Sequence, residues 1–188
     1  MKRLTRRLFQ YRNFIAGCPL AFALLSTRWE WEHEGATWFL AGSLSAAGIV
    51  LRSWASINCN YAQSTKKCLA RTGPYAMVRN PLYLGNLLLI AGATCASELV
   101  WLLPMTLLWA WAVYNAVIIL YEGPRLTKWY GEEYRDYCST VSAWVPRRLF
   151  ASTSFFLSRP VLGRELFKLA LLMPFVLKEL HWFGLGSG

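Results

Sequence analysis

Two short stretches of this chain carry the residue types that could do chemistry. The first, residues 73–85, contains Tyr75, Arg79 and Asn80, and the second begins at Glu122. Aromatic faces attract cations, guanidinium groups recognise carboxylates and phosphates, and an ionisable group at the end of a membrane helix is a functional candidate by default. We therefore predict one polar site built from both stretches. A solvated Glu122, or one paired with an arginine, is the alternative interpretation.

Apolar blocks flank the two stretches, and their lengths are typical of membrane helices. Of the 188 residues, 55% are hydrophobic and 15% are aromatic. We predict spans at about residues 13–27, 36–57, 81–97 and 99–121. The last two must form an antiparallel hairpin because their connection is so short, and the hairpin returns Asn80 and Glu122 to one face. The first block also resembles a signal peptide, but its apolar run continues past the candidate cleavage residues, which favours a retained helix.

The net charge of +10 is distributed unevenly among the connections. Lysine and arginine precede the first block, separate the second from the third and follow the fourth, whereas glutamate dominates the other connections. The positive-inside rule then predicts a multi-pass protein whose N-terminus and site are cytoplasmic, in a prokaryotic inner membrane or a membrane of the endoplasmic-reticulum type. We expect the lipid bilayer as a partner and no nucleic acid, because the basic residues are spread over loops between membrane-like segments.

Local features refine the predicted helices. Asn80 is a good N-cap for the third span, and proline is favoured at the first helical position, here Pro81. Small residues between Gly42 and Gly48 favour close helix packing. Arg52 either snorkels to the membrane surface or lines a cavity.

The remainder of the chain completes an all-α fold. Residues 122–148 are polar, aromatic and basic, which is typical of a cytoplasmic cap. The tail, 149–188, contains a shorter apolar segment at 164–182 that suits an interfacial amphipathic helix better than a fifth span. We predict a single domain over residues 1–188: an integral membrane helical bundle of about four transmembrane helices, a cytoplasmic cap and a C-terminal interfacial helix.

The cysteines and histidines point to no further site. The five cysteines and two histidines show neither metal-ligand spacing nor a paired motif. We therefore expect free thiols and no metal.

Taken together, the two stretches resemble the isoprenylcysteine carboxyl methyltransferase and phospholipid methyltransferase superfamily. There the first block reads approximately Gly-x-Tyr-x-x-x-Arg-His-Pro-x-Tyr-x-Gly. This chain matches it at Gly73, Tyr75, Arg79, Pro81, Tyr83 and Gly85. Asn80 replaces the usual histidine.

The second block of the superfamily usually starts with a pair of glutamates. Glu122 matches the first of these, and Gly123 replaces the second. Two downstream elements are kept, at Gly131, Tyr134 and Tyr137 and at Val145, Pro146 and Arg147. The resemblance covers roughly residues 40–148, within a core of 36–148.

The resemblance implies an integral membrane enzyme that moves a methyl group from S-adenosylmethionine to a lipid-like acceptor and releases S-adenosylhomocysteine. The candidate catalytic residues are Arg79, Glu122 and Arg125. The candidate cofactor-binding residues are Tyr75, Asn80, Pro81, Tyr83, Gly85, Glu122, Tyr134 and Tyr137. For the tyrosines, interfacial anchoring is the alternative role.

Two other functions stay open. Membrane sterol-type reductases share a similar helical cap and use NADPH, although this chain has no surplus cationic cluster for a 2′-phosphate. A non-catalytic membrane scaffold that keeps the fold is the second alternative. The missing histidine and second glutamate leave no obvious general base, which favours an acceptor that is already nucleophilic.

Overall fold

The described part of the chain is all-helical. A computed structural model describes residues 2–25, 34–60 and 68–146, together with residues 163, 167, 170, 173, 174, 176 and 177. The helices are α1 Lys2–Leu25, α2 Glu34–Asn60, α3 Pro74–Met77, α4 Pro81–Ala96, α5 Leu103–Val117, α6 Gly123–Tyr130 and α7 Glu132–Thr140. A 3₁₀ turn, Val100–Leu102, precedes α5, and a π-helical turn, Ile118–Glu122, joins α5 to α6. The predicted all-α class is confirmed, whereas the predicted interfacial helix at 164–182 lies mostly outside the described residues.

Helices α2 and α4 pack antiparallel and unusually close. A Cβ atom added to Gly92 would lie 2.3 Å from the Ser45 Oγ, and one added to Gly48 would lie 2.9 Å from the Gly85 carbonyl oxygen. Small residues allow this approach, as they do between membrane helices generally. The prediction of close packing at the small-residue segment is therefore confirmed at Ser45 and Gly48, whereas a Cβ added to Gly42 would meet nothing within 4 Å outside its own helix backbone.

Helix α1 runs antiparallel to α5. Near its start, Phe9 stacks on Tyr121 with ring centroids 4.5 Å apart. Further along, the Trp109 Nε1 donates a hydrogen bond of 2.7 Å to the Ile15 carbonyl oxygen. Because α2 is antiparallel to α4 as well, the start of α1, the end of α2, the start of α4 and the end of α5 all meet at one face of the bundle.

Helices α4 and α5 form the predicted hairpin. A hydrogen bond of 3.2 Å joins the Thr94 and Thr106 hydroxyls across it. The connection turns at Glu98, which is buried and has a positive φ of 61°. The hairpin brings Asn80 and Glu122 to the same end of the bundle, and this part of the sequence prediction is confirmed.

The chain has the character of a membrane protein. Two continuous helical segments, Gly35–Asn60 and Val100–Tyr130, are long and apolar enough to cross a bilayer, and Pro81–Ala96 is a shorter apolar helix. Large apolar side chains face outward from them, with Phe39 78% exposed and Met105 66% exposed. Such outward faces suit contact with lipid rather than water.

Two local predictions were wrong. The helix of the fourth predicted span does not end at Tyr121, because it continues through the π turn as far as Tyr130. Asn80 occupies the N-cap position of α4, but its side chain makes no capping hydrogen bond. Instead, its Nδ2 donates a bond of 3.1 Å to the Ala143 carbonyl oxygen, which ties the side-chain amide to a distant segment.

Candidate functional site

A cavity of about 380 Å³ lies at the face where the four helix ends meet. Its walls come from α1, α2, α3, α4, the π turn, α6 and α7. Ligand pockets in proteins commonly measure about 300–1,000 Å³, so this cavity has room for a small organic ligand. Its position follows from the antiparallel packing, which gathers residues far apart in the sequence.

Glu122 is the one carboxylate among the described residues that line the cavity. The Tyr83 hydroxyl donates a hydrogen bond of 2.6 Å to its Oε1. Tyr83 is itself buried and stacks on Tyr114, with ring centroids 4.7 Å apart. The carboxylate is therefore held by a side chain that is fixed by packing, as a binding group must be if it is to act without reorganisation.

Four arginines share the cavity with Glu122. The Arg79 backbone N–H donates to the Ser142 carbonyl oxygen at 2.9 Å, and its side-chain Nε is buried without a hydrogen-bond partner. Arg125 lies 4.2 Å above the Trp129 ring and donates to the Tyr121 hydroxyl at 2.9 Å. Arg52 donates to the Leu82 carbonyl oxygen at 3.0 Å and also to the Asn86 side chain. The fourth is Arg12, which belongs to α1.

Tyrosines close the end of the cavity at α3 and α7. The Tyr137 hydroxyl donates a hydrogen bond of 2.7 Å to the Tyr75 carbonyl oxygen, which fixes α7 against α3. Tyr134 lies beside Tyr137, with ring centroids 6.4 Å apart. Arg71 adds a second link because its Nε is 3.7 Å from a Glu133 carboxylate oxygen.

These tyrosines remain neutral at physiological pH. Burial raises the pKa of Tyr75 well above its usual value. Burial also raises the pKa of Tyr137, and it raises the pKa of Tyr134 to about 12. The three side chains therefore offer aromatic faces and phenolic O–H groups rather than phenolate bases.

The structure brings together all but one of the predicted site residues. Those that line the cavity are Arg79, Glu122, Arg125, Tyr75, Asn80, Pro81, Tyr83, Tyr134 and Tyr137. Gly85 lies instead at the contact between α4 and α2, where an added Cβ would come within 2.4 Å of the Arg52 Cγ. Arg52, for which the sequence left two roles open, lines the cavity.

Sequence reasoning missed the contribution of α1. Phe9, Arg12 and Asn13 line the cavity, although they stand at the start of a block that was predicted only as a span. The available signal was the placement of two polar residues at the edge of an apolar run. That signal indicates polar surroundings, but only the packing against α4 and α5 reveals which neighbours they meet.

Comparison with known proteins identifies the family. The model of the family described as phospholipid methyltransferase matches residues 36–133, from α2 into the start of α7. The chain is also similar to the nickel-cobalt-cadmium resistance protein NccN of Alcaligenes xylosoxydans xylosoxydans, with 31% identity over 142 residues. That alignment covers 72% of this chain and 63% of the relative's length. No solved structure matches the chain. Because the family match takes in more than half of the chain and most of the cavity's walls, this protein belongs to the phospholipid methyltransferase family.

Proposed function

We propose that this protein transfers a methyl group from S-adenosylmethionine to a hydrophobic acceptor in the membrane, at the cytoplasmic face of a four-span bundle. The observation that carries the proposal is the cavity itself. It gathers one fixed carboxylate, two arginines and neutral tyrosines from two blocks that are about forty residues apart in the chain. Family membership supports methyl transfer as the chemistry.

The residues present fit S-adenosylmethionine. Glu122 would hold the ammonium group of the methionine part, because it is the carboxylate of the cavity. The buried Arg79 Nε lacks a partner and would donate to the ligand's carboxylate, with Asn80 beside it. Tyr75 and Tyr83 would face the adenine or the sulfonium, since aromatic faces attract cations. When bound, the group supplies a methyl that is already activated by the positive sulfur.

The protein's own part in the reaction is to position and to exclude water. The fixed side chains of the cavity would position the reactants, and the residues of α3 and α7 that line it would limit the access of water. The tyrosines of α3 and α7 stay protonated, so they do not serve as bases. This suits an acceptor atom that is nucleophilic without losing a proton first. Arg125 would stand beside the bound reactants, held in place by Trp129 and Tyr121.

The proposed topology is supported by where the basic residues lie. Exposed Arg3, Arg6 and Arg7 stand at the start of α1, at the same face as the cavity. Arg71 and Arg79 belong to that face too. A cytoplasmic face rich in arginine accords with the positive-inside rule, and a water-soluble donor has to enter from that side.

The relative's name concerns metal resistance, and we do not extend that role to this chain. Among the described residues, no three His, Cys, Asp or Glu side chains come together as a group that could hold a metal ion. The proposal concerns methyl transfer alone.

Ligand-dependent stability tests the proposal against its rivals. S-adenosylhomocysteine at about 100 times its Kd should stabilise the detergent-solubilised protein by ~2.7 kcal/mol. For a domain of this size, that corresponds to a rise in melting temperature of roughly 5–11 °C. NADPH should have no effect.

The other outcomes are equally informative. Stabilisation by NADPH alone would indicate a reductase, and stabilisation by neither ligand would indicate a scaffold. Transfer of a radiolabelled methyl group into membrane lipid from the donor would then establish the reaction itself.

A further inference from the structure

We propose that Arg12 of α1 binds an anionic group on the membrane-borne acceptor, so that α1 forms an acceptor subsite on the cavity. The inference rests on the proposed function. It adds that the acceptor is anionic and that Arg12 binds its charged group. Helix α1 lies outside the region that matches the family model, residues 36–133. The subsite would therefore be a specificity element that this chain adds to the family core.

The Arg12 side chain is fixed in place and still has a donor to offer. Its guanidinium lies 4.1 Å above the Phe9 ring and 5.8 Å from the Tyr83 ring centroid. Its Nη1 donates a hydrogen bond of 2.5 Å to the Phe9 carbonyl oxygen. Its Nε is buried and has no hydrogen-bond partner. A buried donor without a partner is costly, so a ligand acceptor atom at this position would be favourable.

The net positive charge of the cavity favours an anionic ligand. Four arginines line it, whereas Glu122 is the one carboxylate among its described lining residues. The bound donor, with a sulfonium, an ammonium and a carboxylate, adds a further positive charge. An acceptor that carries a phosphate or carboxylate would offset this excess, and a neutral acceptor would not.

Among the four arginines, Arg12 is the best placed for the acceptor. The Arg52 guanidinium already donates hydrogen bonds to the Leu82 carbonyl oxygen and to the Asn86 side chain. Arg79 belongs to the donor's end of the cavity, and Arg125 is engaged with Tyr121 and Trp129. Among the described residues no salt bridge joins Arg12 to Glu122, although the two charges attract each other across the cavity.

The surroundings of Arg12 join the cavity to the lipid. On the same helix, Tyr11 and Phe14 are exposed, and Phe14 is 80% accessible, so the outer side of α1 is apolar. Next to Arg12, the Asn13 Oδ1 accepts a hydrogen bond of 3.3 Å from Asn86 and one of 3.4 Å from Tyr114. These bonds tie α1 to α4 and α5 at the subsite. An amphiphile could therefore keep its chain in the bilayer while its charged group reaches Arg12.

The test measures binding of radiolabelled tetradecyl phosphate, diluted into neutral detergent micelles that contain the full-length protein. Unlabelled tetradecanoate, tetradecyl maltoside and inorganic phosphate serve as competitors. We expect competition by tetradecanoate, which shares the anionic amphiphile chemistry, and none by the neutral maltoside. Full competition by inorganic phosphate would indicate a site for free anions and overturn the acceptor subsite.

Two variants remove the charge in different ways. Arg12→Gln keeps polarity, and Arg12→Met keeps an apolar stem over Phe9. Either one, if folded, should bind tetradecyl phosphate about ten- to a hundred-fold more weakly, because a charge-assisted hydrogen bond is lost. Arg7→Gln is the matched control, since it removes an exposed arginine of the same helix, and it should bind as the parent does.

S-adenosylhomocysteine affinity separates this inference from the proposed function. It should be unchanged in Arg7→Gln, and any loss in the Arg12 variants, whose charge acts on Glu122, should be smaller than their loss of tetradecyl phosphate affinity. Circular dichroism and thermal unfolding in detergent show whether all three variants are folded. Failure of the parent to bind S-adenosylhomocysteine would count against methyl transfer itself. Undiminished binding of tetradecyl phosphate by a folded Arg12 variant would overturn the subsite, as would a parent protein with no preference for the anionic amphiphile over the neutral one.

Discussion

Replacing Gly85 with alanine tests how the site is positioned. The sequence placed Gly85 among the cofactor-binding residues, whereas the structure places it against α2. A Cβ there would come within 2.4 Å of the Arg52 Cγ and 3.0 Å of the Gly48 carbonyl oxygen. The arginine stem can move, but the carbonyl belongs to a packed helix and cannot move without shifting α2.

The expected magnitude comes from a difference between two variants. Overpacking a well-packed contact costs about 1–3 kcal/mol, and replacing a helical glycine with alanine returns up to ~1 kcal/mol of helix propensity. Gly42→Ala carries only the second effect, because nothing lies within 4 Å of its added Cβ. Gly85→Ala should therefore be less stable than Gly42→Ala by about 1–3 kcal/mol, or roughly 2–12 °C in melting temperature.

Thermal unfolding in detergent and calorimetry with S-adenosylhomocysteine together decide the role of Gly85. A packing role lowers the melting temperature of Gly85→Ala relative to Gly42→Ala, and ligand saturation recovers part of the loss. A direct contact with the donor would give the opposite pattern, with normal stability and weakened affinity. Equal stability of the two variants would refute the close-packing argument.

Three further predictions concern the site and its topology. Glu122→Gln should weaken S-adenosylhomocysteine binding about ten- to a hundred-fold in calorimetry, through loss of a charge-assisted hydrogen bond; unchanged affinity would mean that Glu122 does not hold the ammonium. Asn80→Asp should unfold at a lower temperature than Asn80→Ala, because a carboxylate would face the Ala143 carbonyl oxygen that now accepts a hydrogen bond. A higher melting temperature for Asn80→Asp than for Asn80→Ala would indicate that the side chain at position 80 caps α4. In intact cells, a cysteine introduced at position 33 should react with an impermeant reagent and one at position 66 should not; reaction at position 66 alone would reverse the proposed topology.

The sequence predicted the half of the site that follows from local rules. Short connections force antiparallel neighbours, so the hairpin of α4 and α5 and the meeting of Asn80 with Glu122 could be predicted without knowledge of any contact. Nine of the site residues implied by the family resemblance line one cavity, because both blocks begin or end helices at the same face. Residue types at helix ends carry this information since the ends are where polar groups remain available.

The rest depends on contacts between residues distant in the sequence. Asn80 has the residue type and position of an N-cap, yet its amide bonds to a carbonyl 63 residues away. The wall formed by α1 depends on how that helix is rotated against α5, and apolar periodicity alone does not determine the rotation. Gly85 illustrates the same point, since a glycine in a motif is compatible with contact to a ligand and with contact to a helix. Only the close approach of α2 distinguishes the two.

The π turn lies where the sequence suggests the end of a helix, and it forms part of the site. Gly123 and Pro124 suggest the end of a helix, because proline has no N–H to donate. The helix instead widens into a π turn, in which the Gly123 N–H donates to the Ile118 carbonyl oxygen, five residues back. One extra residue in a turn rotates everything that follows by roughly 100°, and Glu122 and Arg125 both reach the cavity. A Cβ at position 123 would lie 2.9 Å from that same carbonyl oxygen. The glycine that stands in place of the family's second glutamate therefore suits the turn that presents the first.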